Sequence, residues 1–162
     1  MSGPKTLIVI RHAKSSWKHS ELEDIERPLN KRGARDAPVM GQRLLARSLI
    51  PDLIISSPAV RALTTAQVIA DEVGFSMQKL VVDDELYACT FQCVLQVVAD
   101  INDSVHRAIV VVHNPAITDL ANCVSSMTIE NVPTCGILTI EASAWDRMED
   151  GTLVNFDYPR KV

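Results

Sequence analysis

The sequence predicts an α/β fold in three layers, a mostly parallel central sheet with helices on both faces. Two observations carry this. Short apolar runs alternate with segments of helical periodicity along the chain. The early runs are apolar on consecutive residues, as strands read when both faces of a sheet are covered. A length of 162 residues suits one domain, spanning residues 1–162, with a substantial core.

The first strand is Leu7–Ile10, and it runs into Arg11-His12-Ala13-Lys14-Ser15. A helix over Gly33–Arg47 follows, with Ala37, Met40, Leu44 and Leu45 on one side. The second strand, Leu53–Ile55, ends in Ser56-Ser57-Pro58, and Arg61 lies on the helix Val60–Val73 that comes next. That helix stacks Leu63, Ala66, Ile69, Ala70 and Val73, and Gly74 is its stop signal. The third strand, Leu80–Val82, ends in Asp83-Asp84-Glu85. Thr90 caps a helix reaching Ile101. The fourth strand, Ile109–Val112, ends in His113-Asn114-Pro115, and Pro115 opens a helix to Val124. The runs Gly136–Glu141 and Leu153–Phe156 are predicted edge strands.

In open α/β sheets the ligand crevice lies beyond the carboxyl ends of the strands. What each run ends in therefore matters most. Two histidines, His12 and His113, and two arginines, Arg11 and Arg61, are predicted to meet at one rim with a carboxylate beside them. Paired guanidiniums suit an anion with several oxygens, phosphate above all. A neutral imidazole in such a place can attack phosphorus. Taken singly, each residue also has a purely structural reading. A histidine after a strand can be a hydrogen-bonded structural residue, Arg11 a sheet-end ion pair, and Asp83, Asp84 and Glu85 a solvated turn. The conjunction is what points to a site. The remaining histidines, His19 and His106, lie in polar surroundings and are expected at the surface.

Composition narrows the classes. A formal net charge of −4 argues against non-specific nucleic-acid binding. The cysteines Cys89, Cys93, Cys123 and Cys135 form no CxxC pair, and the start MSGPKT lacks the apolar stretch of a signal peptide. No run approaches the length of a membrane span. These features predict a cytoplasmic protein with reduced thiols and no membrane partner. There is no GxxxxGK[ST] loop, no GxSxG elbow and no Cys followed five residues later by Arg. His12 between Arg11 and Lys14 is a poor zinc ligand, and no cofactor is expected. Asp83, Asp84 and Glu85 could hold Mg²⁺, but they would also be neutralising the arginines.

Arg11-His12-Ala13-Lys14-Ser15 resembles the Arg-His-Gly core of the histidine phosphatase superfamily, which includes the phosphoglycerate mutases. The match is nearest to its SixA-like phosphohistidine phosphatase group and covers nearly the whole chain. The blocks Arg11–Trp17, Arg27–Gly33, Pro51–Ala66, Leu86-Tyr87 and His113–Pro115 appear in that group's order and spacing. The resemblance implies a phosphoglycerate mutase-like fold and roles for matching positions. His12 would be the phosphorylated nucleophile, and Arg11, Arg61 and His113 would bind the phosphoryl group. Ser15 and Arg27 match positions near the pocket. Glu85 falls where larger relatives place their proton donor.

Three positions depart from the wider family. Ala13 stands for Gly, Lys14 for Glu or Gln, and Val112 for Gly. The long insertions that cover the site in the mutases are missing. Three activities stay open: a metal-independent phosphatase acting on phosphohistidine in a phosphorylated protein, a phosphatase of small phosphoesters with the same mechanism, and a weakly active phosphate-binding module. Intact His12 and His113 argue against the third.

Overall fold

The computed structural model describes residues 3–160; positions 1, 2, 161 and 162, at the limits of the expected domain, lie outside the described residues. Six strands form one sheet in the order β3-β2-β4-β1-β5-β6. They are β1 Lys5–Arg11, β2 Leu53–Ser56, β3 Val81–Val82, β4 Arg107–Val112, β5 Ile137–Ala142 and β6 Thr152–Asp157. The first four run parallel to one another; β5 is antiparallel to β1 and β6 antiparallel to β5. The helices are α1 Lys31–Ala46, α2 Val60–Val73, α3 Phe91–Ala99 and α4 Ala116–Val124.

The consecutive apolar residues of β1 are divided between two cores. Leu7 and Val9 join Val94, Val98, Ile117 and Leu120 of α3 and α4 on one face. Ile8 and Ile10 join Ala37, Met40, Ala66 and Ile69 of α1 and α2 on the other. That is the three-layer arrangement the unbroken apolar runs predict.

The departures are local. β5 is not an edge strand: it pairs with β1 and β6, and its Ile137, Leu138 and Ile140 are buried. Only β6 takes that edge. The third strand shrinks to two exposed residues paired with Ile55 and Ser56. α1 begins before Gly33 because the Asn30 side chain accepts the Gly33 N–H as its cap. Pro115 stands at the N-cap of α4 instead of inside its first turn. Thr90 caps α3 as expected, and α2 ends on Gly74 in the left-handed conformation (φ 76°).

The topology fixes the site. The chain leaves β1 toward β2 with its helices on one face, then returns through β4, which sits between β1 and β2, with helices on the other face. The crevice between the carboxyl ends of β1 and β4 is thus a topological switch point. His12 follows β1 and His113 follows β4 at that crevice.

Candidate active site

The loop after β1 is held from several sides. The His12 N–H donates to the Val112 carbonyl (3.1 Å), so the β1–β4 ladder carries on past the end of the strand. The Cys135 N–H donates to the carbonyls of both Arg11 and His12 (3.0 and 3.1 Å). Thr65 Oγ1 of α2 accepts the Ala13 N–H (2.9 Å). Asn30 N–H donates to the Lys14 carbonyl, and a Cβ on Gly33 would strike the Lys14 backbone. Glycine at position 33 is therefore what lets α1 seat against this loop. Ala13 is fully buried in the core shared with α1 and α2, so its methyl is accommodated as packing. Val112 is likewise core on the opposite face.

A cavity of about 360 Å³ opens at this rim, lined by Arg11, His12, Ser15, Arg27, Arg61 and His113, with Lys14, Trp17, Asp24, Tyr87, Ala88, Asn114 and Thr134 around them. Six of the seven side chains singled out from the sequence thus share one cavity. The seventh, Glu85, is exposed on the short turn Asp84–Leu86 and is outside the lining. The starts of α2 and α4, at Val60 and Ala116, are outside it too, so side chains dominate the lining. His19 and His106 are exposed, as expected.

His12 and His113 are 7% and 9% exposed, with ring centroids 5.2 Å apart. His12 Nδ1 lies 2.7 Å from the Ala13 carbonyl. A carbonyl only accepts, so Nδ1 carries the proton and Nε2 keeps its lone pair. Burial is the main force lowering the His12 pKa, to about 3; the Ala13 carbonyl opposes it, and His113, Arg61 and Arg11 add to it. His113 is lowered to about 4, again mainly by burial, with Arg61 assisting and Asp24 opposing. Both rings are neutral at neutral pH. His113 Nε2 is 2.7 Å from Ser57 Oγ, which also accepts the Ala59 N–H. When the Ser57 hydroxyl donates to Nε2, the neutral ring carries its proton on Nδ1 as a donor.

The guanidiniums are only partly engaged. Arg11 Nη1 donates to the Val132 carbonyl (3.0 Å), and its buried Nε has no partner. Arg61, 6% exposed, donates to the Asp24 carbonyl and to Asp24 Oδ2 (2.7 and 3.0 Å), and its buried Nε also has no partner. Both guanidiniums line the cavity and carry N–H groups beyond these bonds, so they can serve as donors to an anion there. Ser15 Oγ accepts from Arg27 Nη1 (2.7 Å).

Asp24 was not legible in the sequence. It accepts from Arg61, from Arg27 Nε (3.1 Å) and from the Tyr87 hydroxyl (2.7 Å), so one carboxylate braces two cations and a phenol. The Tyr87 hydrogen bond is the largest cause of its pKa falling to about 2, ahead of the arginines. It lies in Glu21–Glu26, among other acids, where nothing marks one as special. Its spacing three residues before Arg27 was the available clue. Among the described residues no group of three or more His, Cys, Asp or Glu side chains is placed to hold a metal ion, and no helix is long and apolar enough to cross a membrane.

Residues 7–93 match the profile of the histidine phosphatase superfamily (branch 1). An uncharacterized protein of Mycobacterium tuberculosis (strain H37Rv) is 30% identical over 164 aligned positions, covering 93% of this chain and 100% of the relative. A chloroplastic uncharacterized protein of Arabidopsis thaliana is 39% identical over 74 positions, 46% of this chain; the match covers 34% of that relative. Among solved structures, the protein histidine phosphatase SixA complexed with tungstate superposes with a TM-score of 0.81 at 21% identity, covering 95% of this chain and 97% of the other. At that identity the likeness speaks for the fold.

Proposed function

The chain belongs to the histidine phosphatase superfamily, and on that premise we propose that it is a metal-independent phosphatase that works through a phosphohistidine intermediate on His12. The observation that carries this is the buried, neutral His12 ring, whose Nδ1 is held by the Ala13 carbonyl and which lines one cavity with Arg11, Arg61 and His113.

The steps follow from that arrangement. The Nε2 lone pair attacks phosphorus, and the bond to the leaving group breaks with its electron pair going to the leaving atom. Arg11, Arg61 and the Nδ1–H of His113 donate to the three phosphoryl oxygens. Ser15 and Arg27 complete the wall. A water oxygen then attacks the phosphorus on His12, the Nε2–P bond breaks with its electron pair returning to Nε2, and the water's proton passes to bulk solvent as phosphate leaves. An arriving phosphoryl dianion also raises the pKa of both imidazoles, which strengthens His113 as a donor. With this much fixed positive charge at the phosphoryl position, activity is expected to survive chelators.

The proposed substrate is phosphohistidine on a protein. Its ring leaves as neutral imidazole once the other nitrogen is protonated, so it needs no strong acid from the enzyme. Glu85, outside the cavity lining, matters under this proposal only for alcohol leaving groups. The test is turnover on a phosphohistidine protein beside a panel of phosphate monoesters, with and without chelator. The proposal expects the highest kcat/KM on phosphohistidine, unchanged by chelator. Preference for a small phosphomonoester would make the chain a small-molecule phosphatase of the same mechanism. Full loss in chelator, restored by Mg²⁺ or Zn²⁺, would overturn metal independence.

A further inference from the structure

The cavity is larger than the group the two histidines and arginines would hold. Its volume equals the liquid-volume share of about a dozen waters, while a phosphoryl group has four heavy atoms. Trp17 and Tyr87 also line the cavity, and the phosphoryl chemistry does not use them.

Trp17 is unusual there. It is 75% exposed, although burying an indole is favourable. It is nevertheless not loose on the surface, because its ring lies over the Arg27 guanidinium at 3.6 Å from the centroid. Arg27 is itself 8% exposed and pinned by Asp24 Oδ1, Ser15 Oγ and the Ser16 carbonyl. The Lys18 N–H donates to Ser16 Oγ on the other side of Trp17. A buried, triply bonded cation thus fixes the orientation of an exposed indole that lines the cavity.

We propose that Trp17 is a specificity-determining residue, a preset stacking platform for a flat ring attached to the phosphoryl group. The chemical class it selects is a phosphoramidate or phosphoester of a planar leaving group, the imidazole of phosphohistidine among them. This deepens the function proposed above and rests on the same cavity. The platform contributes by stacking, so it acts on ring-bearing substrates and leaves the transfer itself to His12. Stacking of this kind corresponds to roughly three- to tenfold in affinity. It holds in ground and transition states alike, so it appears in KM more than in kcat.

The experiment compares Trp17→Ala and Trp17→Phe with the natural protein on four small substrates: phosphoimidazole, phosphoramidate (no ring), an aryl phosphate and an alkyl phosphate. Tungstate affinity, read by competition, reports the phosphoryl pocket separately. The expected result is a three- to tenfold loss of kcat/KM for Trp17→Ala on phosphoimidazole and aryl phosphate. The ringless pair and tungstate affinity should change less than twofold, and Trp17→Phe should recover most of the loss. An equal loss on all four substrates would make Trp17 a support for Arg27 and overturn the platform. No loss on any small substrate, with a loss only on a phosphorylated protein, would also overturn it, since Trp17 would then touch the carrier protein. If the natural protein turns over esters but no phosphoramidate, the phosphohistidine reading fails, and the ratio of aryl to alkyl ester still decides the platform.

Discussion

The two ends of β1 each carry a cation, and they treat it in opposite ways. At the amino end Lys5 is fully buried, and its ammonium donates to the carbonyls of Asp103 and Val105 (2.6 and 3.0 Å), with Asp103 Oδ1 at 3.4 Å. At the carboxyl end Arg11 and Arg61 keep buried Nε groups without acceptors, beside imidazoles that burial holds neutral. Desolvating a charge is costly unless its hydrogen bonds are replaced. At Lys5 the protein replaces them itself, and the residue is structural. At the other end they are only partly replaced, in guanidiniums that line the cavity. The same strand therefore separates a charge that stabilises the fold from charges poised to act.

Mutations at the two ends should separate activity from stability. The largest effect is expected for His12→Ala, which should lower turnover at least about 10⁴-fold, since the covalent route is lost. Its thermal unfolding should stay cooperative, because the imidazole makes one hydrogen bond to its own neighbour's carbonyl. Residual activity above a small fraction would break the assignment. Arg61→Ala should lower kcat by about 10²–10³-fold, the scale for losing one donor to developing charge. Steady-state kinetics on an aryl phosphate would read both.

Acid sharpens the contrast. The unfolded chain binds protons at the ordinary histidine value of 6.5, whereas folded His12 and His113 stay neutral down to about 3 and 4. The unfolded state binds more protons across that interval, so these groups' contribution to stability is complete above pH 6.5 and is lost as pH falls toward 4. Denaturant melts between pH 7 and 4.5 should show this decline, and it should flatten in His12→Ala. A decline of equal slope in the variant would assign it elsewhere.

At the opposite end, Lys5→Met should lower the unfolding free energy by about 1–3 kcal/mol through the acceptors it strands, while kcat/KM stays within about twofold. Loss of activity without loss of stability would reverse the comparison. The smallest effect on phosphoramidates is expected for Glu85→Gln, which should fall mainly on alkyl phosphates, whose alcohols leave poorly without a proton. An equal loss on phosphohistidine, aryl and alkyl substrates would show that Glu85 acts through charge or structure.

The sheet was legible because unbroken runs such as Leu7–Ile10 and Ile109–Val112 have to be covered on both faces, and the two cores confirm it. The rim was legible because parallel strands deliver their following residues to one edge, which brings His12 and His113 within ring contact. The position of β5 was not, because strand order depends on pairing partners that periodicity does not name. Asp24 and Trp17 were hidden for a related reason. Their roles come from Arg27 and Tyr87 folding over them, contacts made by a loop with no apolar pattern. Glu85 was expected near the rim from the end of the third strand and took its role from the resemblance alone, and its turn leaves it exposed and outside the cavity lining.

In the proposed mechanism His12 itself carries the phosphoryl group between the two half-reactions. Rapid quenching into alkali during turnover of a phosphoramidate, followed by proteolysis and mass spectrometry, tests it directly. One phosphoryl group is expected on the peptide containing His12, stable in base and lost in acid, present at steady state and absent from His12→Ala. Turnover with no phosphorylated enzyme, or with the group on His113 or any other residue, would contradict it.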